Sequence, residues 1–295
     1  MSIDHLNMCR HEYSCCGREE VTGPRLFISN TSASTPTLTP GSEALAPRSS
    51  VKRNVIPKNL ERFTEGPLPK QPEVERLSDR VICVLGKNAS SFTLNGTNIY
   101  IIGTGKRRTL LDTGESSPKA ERVIATLEEV FQKEGIEGVD EIIISHLHHD
   151  HVGGAKHIAK RFGPCRISKF PSPKSEIQRR KDVVRIEQEK AGIDPKSGKI
   201  PPSAEITWQG LDFELNSRYH KLSEGELLKT EGASLRVFWT PGHAPDHVVV
   251  LLEEERALFS GDHVLGWGTS WVDDLGLYMQ SLHKIRLLNP TRLYP

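Results

Sequence analysis

Four histidines and an aspartate fall within His146-Leu147-His148-His149-Asp150-His151, and Val152-Gly153-Gly154 follows directly. Neutral imidazole and carboxylate are the ligands of zinc and similar divalent ions. The apolar run Ile142-Ile143-Ile144 precedes the cluster. A strand sends residues i and i+2 to one side, so a strand running out here aims His146 and His148 at one point. Asp150 and His151 follow on the turn and reach a second point nearby. Two more ligand types stand after strand-like runs. His243 closes Thr240-Pro241-Gly242-His243 behind Leu235 to Trp239, and Asp262 closes Ser260-Gly261-Asp262 behind Ala257-Leu258-Phe259. Each sits beside a glycine, which lets the backbone turn sharply.

A divalent metal held by such a set lowers the pKa of a bound water and polarises the bond to be broken. The water can then attack a phosphodiester, a thioester or a lactam carbonyl. Asp150 serves both as ligand and as proton acceptor. No nucleophilic serine or cysteine is required, and Cys83 and Cys165 have no evident base beside them.

The elements that position these residues are readable in outline. Val81 to Leu85 and Ser91 to Leu94 have strand character. Asn98 to Ile102 and Thr109 to Leu111 form a hairpin around Gly103-Thr104-Gly105-Lys106. That Gly-x-Gly precedes a strand, whereas a dinucleotide loop opens a helix. Pro118 to Glu134 has helical spacing, with Ile124, Leu127, Val130 and Phe131 on one face. Ser117 and Pro118 suit its cap and first turn. A second helix is expected from Ala155 to Arg161. Residues 168–217 form an insertion in which Lys174 to Lys190 carries Arg179, Arg180, Lys181 and Arg185 among Glu176, Glu187 and Glu189. That segment is expected as a charged, solvated helix; the functional alternative is a lid or an RNA contact. Leu222 to Glu231, Ala233 to Trp239, Val248 to Glu253 and Ala257 to Ser260 alternate as strands and turns. Tyr278 to Leu287 closes as a helix.

Residues 1–73 are expected to be poorly ordered. Thr31 to Ser42 is rich in Ser, Thr and Pro and cannot bury enough apolar surface to offset the entropy of ordering. Residues 74–295 form the domain. The 295 residues carry a formal net charge of +1, which exerts no general pull on nucleic acid or anionic membrane. No apolar run approaches membrane-spanning length, and the N-terminus lacks the apolar stretch of a secretory signal. Five cysteines make an odd count without a Cys-x-x-Cys pair, so a reducing compartment is expected, cytoplasmic or mitochondrial matrix. The Asn-x-Ser/Thr triplets at Asn30, Asn88 and Asn95 are taken as accidental.

The ligand motifs together resemble the metallo-β-lactamase superfamily, whose signature is His-x-His-x-Asp-His, a later His and a later bridging Asp. Phe92 to Tyr100, Leu110-Leu111-Asp112-Thr113-Gly114-Glu115, Thr240-Pro241-Gly242-His243, and Phe259 through Thr269 resemble the beta-lactamase-like protein 2 branch. That branch contains a metal-dependent endoribonuclease, and fungal polyketide thioesterases are similar to it. The resemblance covers about Leu77 to Pro295. It implies an αββα sandwich and two zinc ions. His146, His148 and His243 would hold the first, Asp150 and His151 the second, and Asp262 would bridge them. Asp112 would orient a ligand through a hydrogen bond. The implied partner is single-stranded RNA or an acyl thioester, with no DNA and no membrane. The family pattern continues Tyr-Pro with Gly-His-Gly to supply a final ligand. This chain ends at Tyr294-Pro295, so the expectation is either a truncated C-terminus or a weakly held second metal; His247, His263 and His283 are the available substitutes, but the first two read as ordinary loop and strand-flank histidines and His283 as part of an amphipathic helix. The non-enzymatic alternative is a truncated relative that binds metal weakly.

Overall fold

The computed structural model describes residues 68–295. The expectation of poor order over residues 1–73 therefore lies, up to residue 67, outside the described residues, as do Asn30 and Cys9, Cys15 and Cys16.

Two sheets form the centre. The first runs in chain order through β1 (Val74–Arg76), β2 (Val81–Leu85), β3 (Asn98–Ile102), β4 (Arg107–Leu111), β5 (Gly138–Ile144), β6 (Arg166–Lys169) and β7 (His220–Lys221). Its β1 to β4 pair antiparallel, and β4 to β7 pair parallel. The second has the order β12 (Arg292–Tyr294), β11 (Ala257–Phe259), β10 (Val248–Leu252), β9 (Ala233–Trp239), β8 (Leu227–Thr230). There only the β11–β12 pair is parallel.

The two-residue period of the strands decides the layers. In β2, Val81 and Cys83 point into the core between the sheets, where they join Leu235, Val237, Val248, Val250 and Phe259. Ile82 and Val84 point the other way, onto helix α1 (Lys119–Glu134) and helix α3 (Ala155–Phe162). In the second sheet, Val249 and Leu258 turn outward onto Ile285 of helix α6 (Leu275–Leu288). Helix, sheet, sheet and helix thus stack as the αββα sandwich that the resemblance implied.

Several local expectations change. Ser91 to Leu94 is not a strand. The Ser90 hydroxyl accepts the backbone N–H groups of Phe92 and Thr93 at 3.1 Å each, Leu94 adopts φ 55°, and Phe92 is 93% exposed. A side-chain oxygen taking over backbone bonds is how serine favours turns over strands. Ser117 does not cap α1: its hydroxyl bonds Glu121 instead, and no side chain caps that end. Asn88 is buried and its amide donates to Thr97 Oγ1.

The insertion differs most. Helix α4 spans Lys174–Lys190 as expected, but it is not solvated all round. Glu176, Arg180, Val184 and Gln188 are buried. They stand four residues apart, one stripe on a helix. The stripe packs on helix α5 (Glu205–Asn216), which the sequence did not reveal, and Val184, Ala204 and Leu211 make a small core of their own. α5 in turn packs on the short helix α2 (His149–Val152). The excursion is therefore built onto the His-rich segment. Among the described residues, no helix is long and apolar enough to cross a membrane.

Candidate metal centre

β5 ends at Ile144, and the chain leaves the sheet as Ser145-His146-Leu147-His148 before α2 begins. Leu147 is fully buried, which holds the two flanking imidazoles on the opposite side. His146 Nε2 lies 2.8 Å from His148 Nδ1, and His243 Nε2 lies 3.2 Å from the former and 3.0 Å from the latter. Asp262 Oδ2 stands 3.4 Å from His243 Nε2 and 3.8 Å from His146 Nε2. Ligand atoms of these four residues all lie within 4.8 Å of one another. A tetrahedral ion with bonds of about 2.0–2.2 Å wants donors roughly 3.3 Å apart, so the set fits zinc.

The second group shares Asp262. His151 Nε2 is 3.2 Å from Asp262 Oδ1 and 3.3 Å from Asp150 Oδ2. The two groups thus approach the two oxygens of one carboxylate. His149 lies nearer the rim, 3.7 Å from Asp150 and 4.0 Å from Glu115.

A hydrogen-bonded frame fixes three of the imidazoles. Asp112 sits in the left-handed region at φ 62° just past β4. Its Oδ1 accepts the Ser145 backbone N–H and its Oδ2 accepts the Ser145 hydroxyl, each at 2.8 Å. With its proton given to Asp112, the Ser145 oxygen accepts from His146 Nδ1 at 2.9 Å. His151 Nδ1 donates to Asp112 Oδ2 at 2.8 Å, and His243 Nδ1 donates to the Trp271 carbonyl at 2.8 Å. With the rings neutral, all three Nδ1 atoms act as donors and the Nε2 atoms present lone pairs to the centre; His151 must first shed the proton that Asp150, Asp262 and Asp112 favour on it. His148 is the exception and presents Nδ1. Thr97 Oγ1 donates to Asp150 Oδ2 at 3.0 Å. Asp112 was singled out in the sequence. Ser145, Thr97 and Trp271 were not assigned such roles, and adjacency to the histidines was the only available signal for Ser145.

Burial and crowding set the charges. Burial drives the His146 imidazole well below its ordinary value, and His151, His148 and His243 add to the effect. Burial also lowers His148 to about 4, helped by His243 and Arg180. Neutral rings are the metal-binding form. Burial is the largest influence on Asp150 and Asp262 and opposes their ionisation, but the charge and hydrogen bond of His151, joined by the other nearby histidines, outweigh it and hold both carboxyls below the usual range. His151 is raised well above its ordinary value, since Asp150, Asp262 and Asp112 outweigh its burial.

The three substitute histidines lie elsewhere. His247 is buried behind the cluster, with Nδ1 on Thr240 Oγ1 at 3.0 Å. His263 stacks on Tyr278 with ring centres 4.5 Å apart, and His283 is exposed on α6. Cys83 is no nucleophile: burial pushes its thiol up to about 12.

A cavity of about 450 Å³ opens on Asp150, His151 and Asp262 and is walled by Leu111, Val248, Phe259 and Trp267. Phe92 stands at its rim. Trp271, whose carbonyl holds His243, leaves its own ring 73% exposed.

Comparison with known proteins agrees with this architecture. A "Beta-lactamase-like protein 2 homolog" from Drosophila melanogaster is 40% identical over 229 residues, 76% of this chain and 66% of that protein. An "Atrochrysone carboxyl ACP thioesterase" from Aspergillus aculeatus is 35% identical over 228 residues, 77% of this chain and 59% of the relative. The chain therefore spans about three fifths to two thirds of the length of these relatives. The crystal structure of a beta-lactamase domain protein from Burkholderia ambifaria superposes with a TM-score of 0.54 at 21% identity, covering 75% of this chain and 66% of that one. Residues 92–295 match the metallo-beta-lactamase superfamily, and the chain belongs to it.

Proposed function

We propose that this chain is a metal-dependent hydrolase acting on single-stranded RNA. The observation that carries the hydrolase reading is the convergence of His146, His148, His243 and Asp262, with Asp150 and His151 on the other oxygen of Asp262. Zinc suits this imidazole and carboxylate set, and we assign one ion to each group. Metal bound there supplies an acidified water as nucleophile and polarises the scissile bond. The chain's own residues do the remaining work. Asp150, fixed by Thr97, is placed to accept a proton beside the cavity. Asp112 and Ser145 hold the imidazoles in the ligating tautomer. RNA is supported by the likeness to the beta-lactamase-like protein 2 branch and by two exposed rings flanking the centre, Phe92 and Trp271. Such rings serve as faces on which unpaired bases stack.

A second reading rests on the apolar cavity wall and on the thioesterase named among the relatives. An acyl chain would fill that space, and a thioester carbonyl would meet the same water.

The test is cleavage of an unstructured RNA by the zinc-loaded chain, with and without chelator, beside an acyl-carrier thioester. Chelator-sensitive cutting that disappears in Asp150→Ala supports the RNA reading. Thioester hydrolysis without RNA cutting overturns it in favour of the second. Neither activity from a chain that retains zinc overturns both.

A further inference from the structure

We infer that Arg180, on the insertion helix α4, is the substrate's anion anchor, gripping a backbone phosphate of the RNA beside the metal centre. This rests on the hydrolase reading above and names the group that holds the substrate in register.

Arg180 is a charged side chain only 9% exposed. One carboxylate serves it, and that carboxylate is shared. Glu176 Oε1 accepts Arg180 Nε at 2.7 Å and Arg179 Nη2 at 2.8 Å, while Glu176 Oε2 accepts Arg179 Nε at 2.7 Å. Glu176 is thus shared between a buried guanidinium, Arg180, and a half-exposed one, Arg179. Arg179 has a second acid within reach, Asp273 at 3.6 Å. The terminal nitrogens of Arg180 make no hydrogen bond among the described residues. Those nitrogens are not sealed from solvent, so they stand free to meet a ligand's anion.

The position is also right. A Cβ placed on Gly210 of α5 would touch both Arg180 Nη1, at 3.5 Å, and the Leu147 carbonyl. Leu147 separates His146 from His148, so the guanidinium is a near neighbour of the ligand segment. The planar fork of arginine matches phosphate oxygens two at a time. Glu176 fixes the Nε edge, which leaves the Nη pair for the ligand. Arg179 and Asp273 tie the same turn of α4 to Trp271, because the Trp271 indole N–H donates to Asp273 at 3.0 Å. The anchor and an exposed ring are thereby braced together.

The experiment compares the full chain with Arg180→Gln and Arg180→Lys. Thermal melting is followed as inorganic phosphate is added, in zinc-loaded and zinc-stripped protein. RNA cleavage gives KM and kcat separately. Phosphate should raise the melting temperature of the parent chain, less that of Arg180→Lys, and least that of Arg180→Gln. KM for RNA should rise about tenfold in Arg180→Gln, equivalent to about 1.4 kcal/mol of lost binding, with a smaller change in kcat. Arg179 still satisfies Glu176 in that variant; should it nonetheless fail to fold, Arg180→Lys carries the same comparison. Equal phosphate stabilisation of all three proteins overturns the inference, as does a fall in kcat with KM unchanged. The parent reading fails separately. Arg180-dependent phosphate binding by a chain that cuts no RNA would keep the anchor and discard the RNA substrate. An Arg180-dependent KM confined to a phosphopantetheine thioester would overturn the RNA phosphate as its ligand.

Discussion

Asp112 and His151 face each other across 2.8 Å, carboxylate Oδ2 to imidazole Nδ1, with both side chains buried. The same oxygen accepts the Ser145 hydroxyl, so one carboxylate orients a histidine of each metal group. Asp112→Asn isolates this role, because asparagine also tolerates the φ of 62° found here. It loses one acceptor and gains a donor. Zinc affinity should fall by about 10–100-fold, as when other outer partners of metal ligands are removed. Competition titration against a chromogenic chelator measures this, and unchanged affinity would remove Asp112 from the site.

Asp262 approaches both groups, at 3.2 Å from His151 and 3.4 Å from His243, whereas His146 belongs to one. Asp262→Ala should abolish hydrolysis and lower bound zinc at both positions. His146→Ala should abolish hydrolysis but leave part of the metal. Elemental analysis of the purified variants distinguishes them. Full activity with normal zinc in either variant would refute the ligand assignment.

Acid should destabilise the metal-free chain before any carboxylate is protonated. His148 and His263 are held down to about 4 from an ordinary 6.5, mainly by burial, and His146 and His247 are also lowered. Between pH 6.5 and 4 the unfolded chain takes up protons that the folded chain refuses, so folding stability falls as pH falls. His151 has the opposite sign, since its value is raised. Its contribution is complete below 6.5 and is lost only as pH rises, so it does not offset the acid loss. Urea unfolding of chelator-treated protein across this range should show a falling midpoint. A flat profile would contradict the burial described.

Lys169 is fully buried and pairs with Asp246 at 2.7 Å and Glu214 at 3.0 Å. Lys169→Met strands two acids and should cost about 3–5 kcal/mol. Adding Asp246→Asn and Glu214→Gln should recover part of that loss. Denaturant unfolding of both variants checks it. A single variant as stable as the parent would show that the acids find other partners.

Gly242 precedes His243 at φ 128°, and a Cβ there would run into the Tyr278 backbone of α6. Gly242→Ala should therefore displace His243, lower the melting temperature and reduce zinc occupancy. Gly225→Ala provides a control. It too has a positive φ, 76°, but nothing lies within 4 Å of its added carbon. Equal effects from both would attribute the loss to backbone strain, which is worth roughly 1–3 kcal/mol per residue, rather than to the collision.

The parts of the fold and site that were legible in the sequence are those with local signatures. His146 and His148 follow a continuous apolar strand, and β9 alternates apolar and polar residues through Ala233, Leu235 and Val237. His243 and Asp262 stand beside glycines that end strands. The illegible parts depend on distant partners. Phe92 and Leu94 alternate like a strand, but the Ser90 hydroxyl captures the backbone. α5 carries Gly210 in its interior, a poor helix former that is tolerated there because the Leu147 backbone packs against it. Glu176 and Arg180 looked like solvent-facing charges because nothing in their own helix reveals that α5 covers them. Ser145 and Trp271 serve through one hydroxyl and one carbonyl, which no residue pattern announces.

The Lys169 pairing also bears on how this scaffold could be re-engineered. Glu214 belongs to α5, within the excursion that separates β6 from β7, and its carboxylate is one of two counter-charges of a lysine in the sheet itself. The excursion is thus electrically wired into the sandwich. A shortened design that joins Lys169 directly toward His220 would remove one of its two acids and leave the buried ammonium to Asp246 alone, so the new loop must supply an acceptor for the freed N–H.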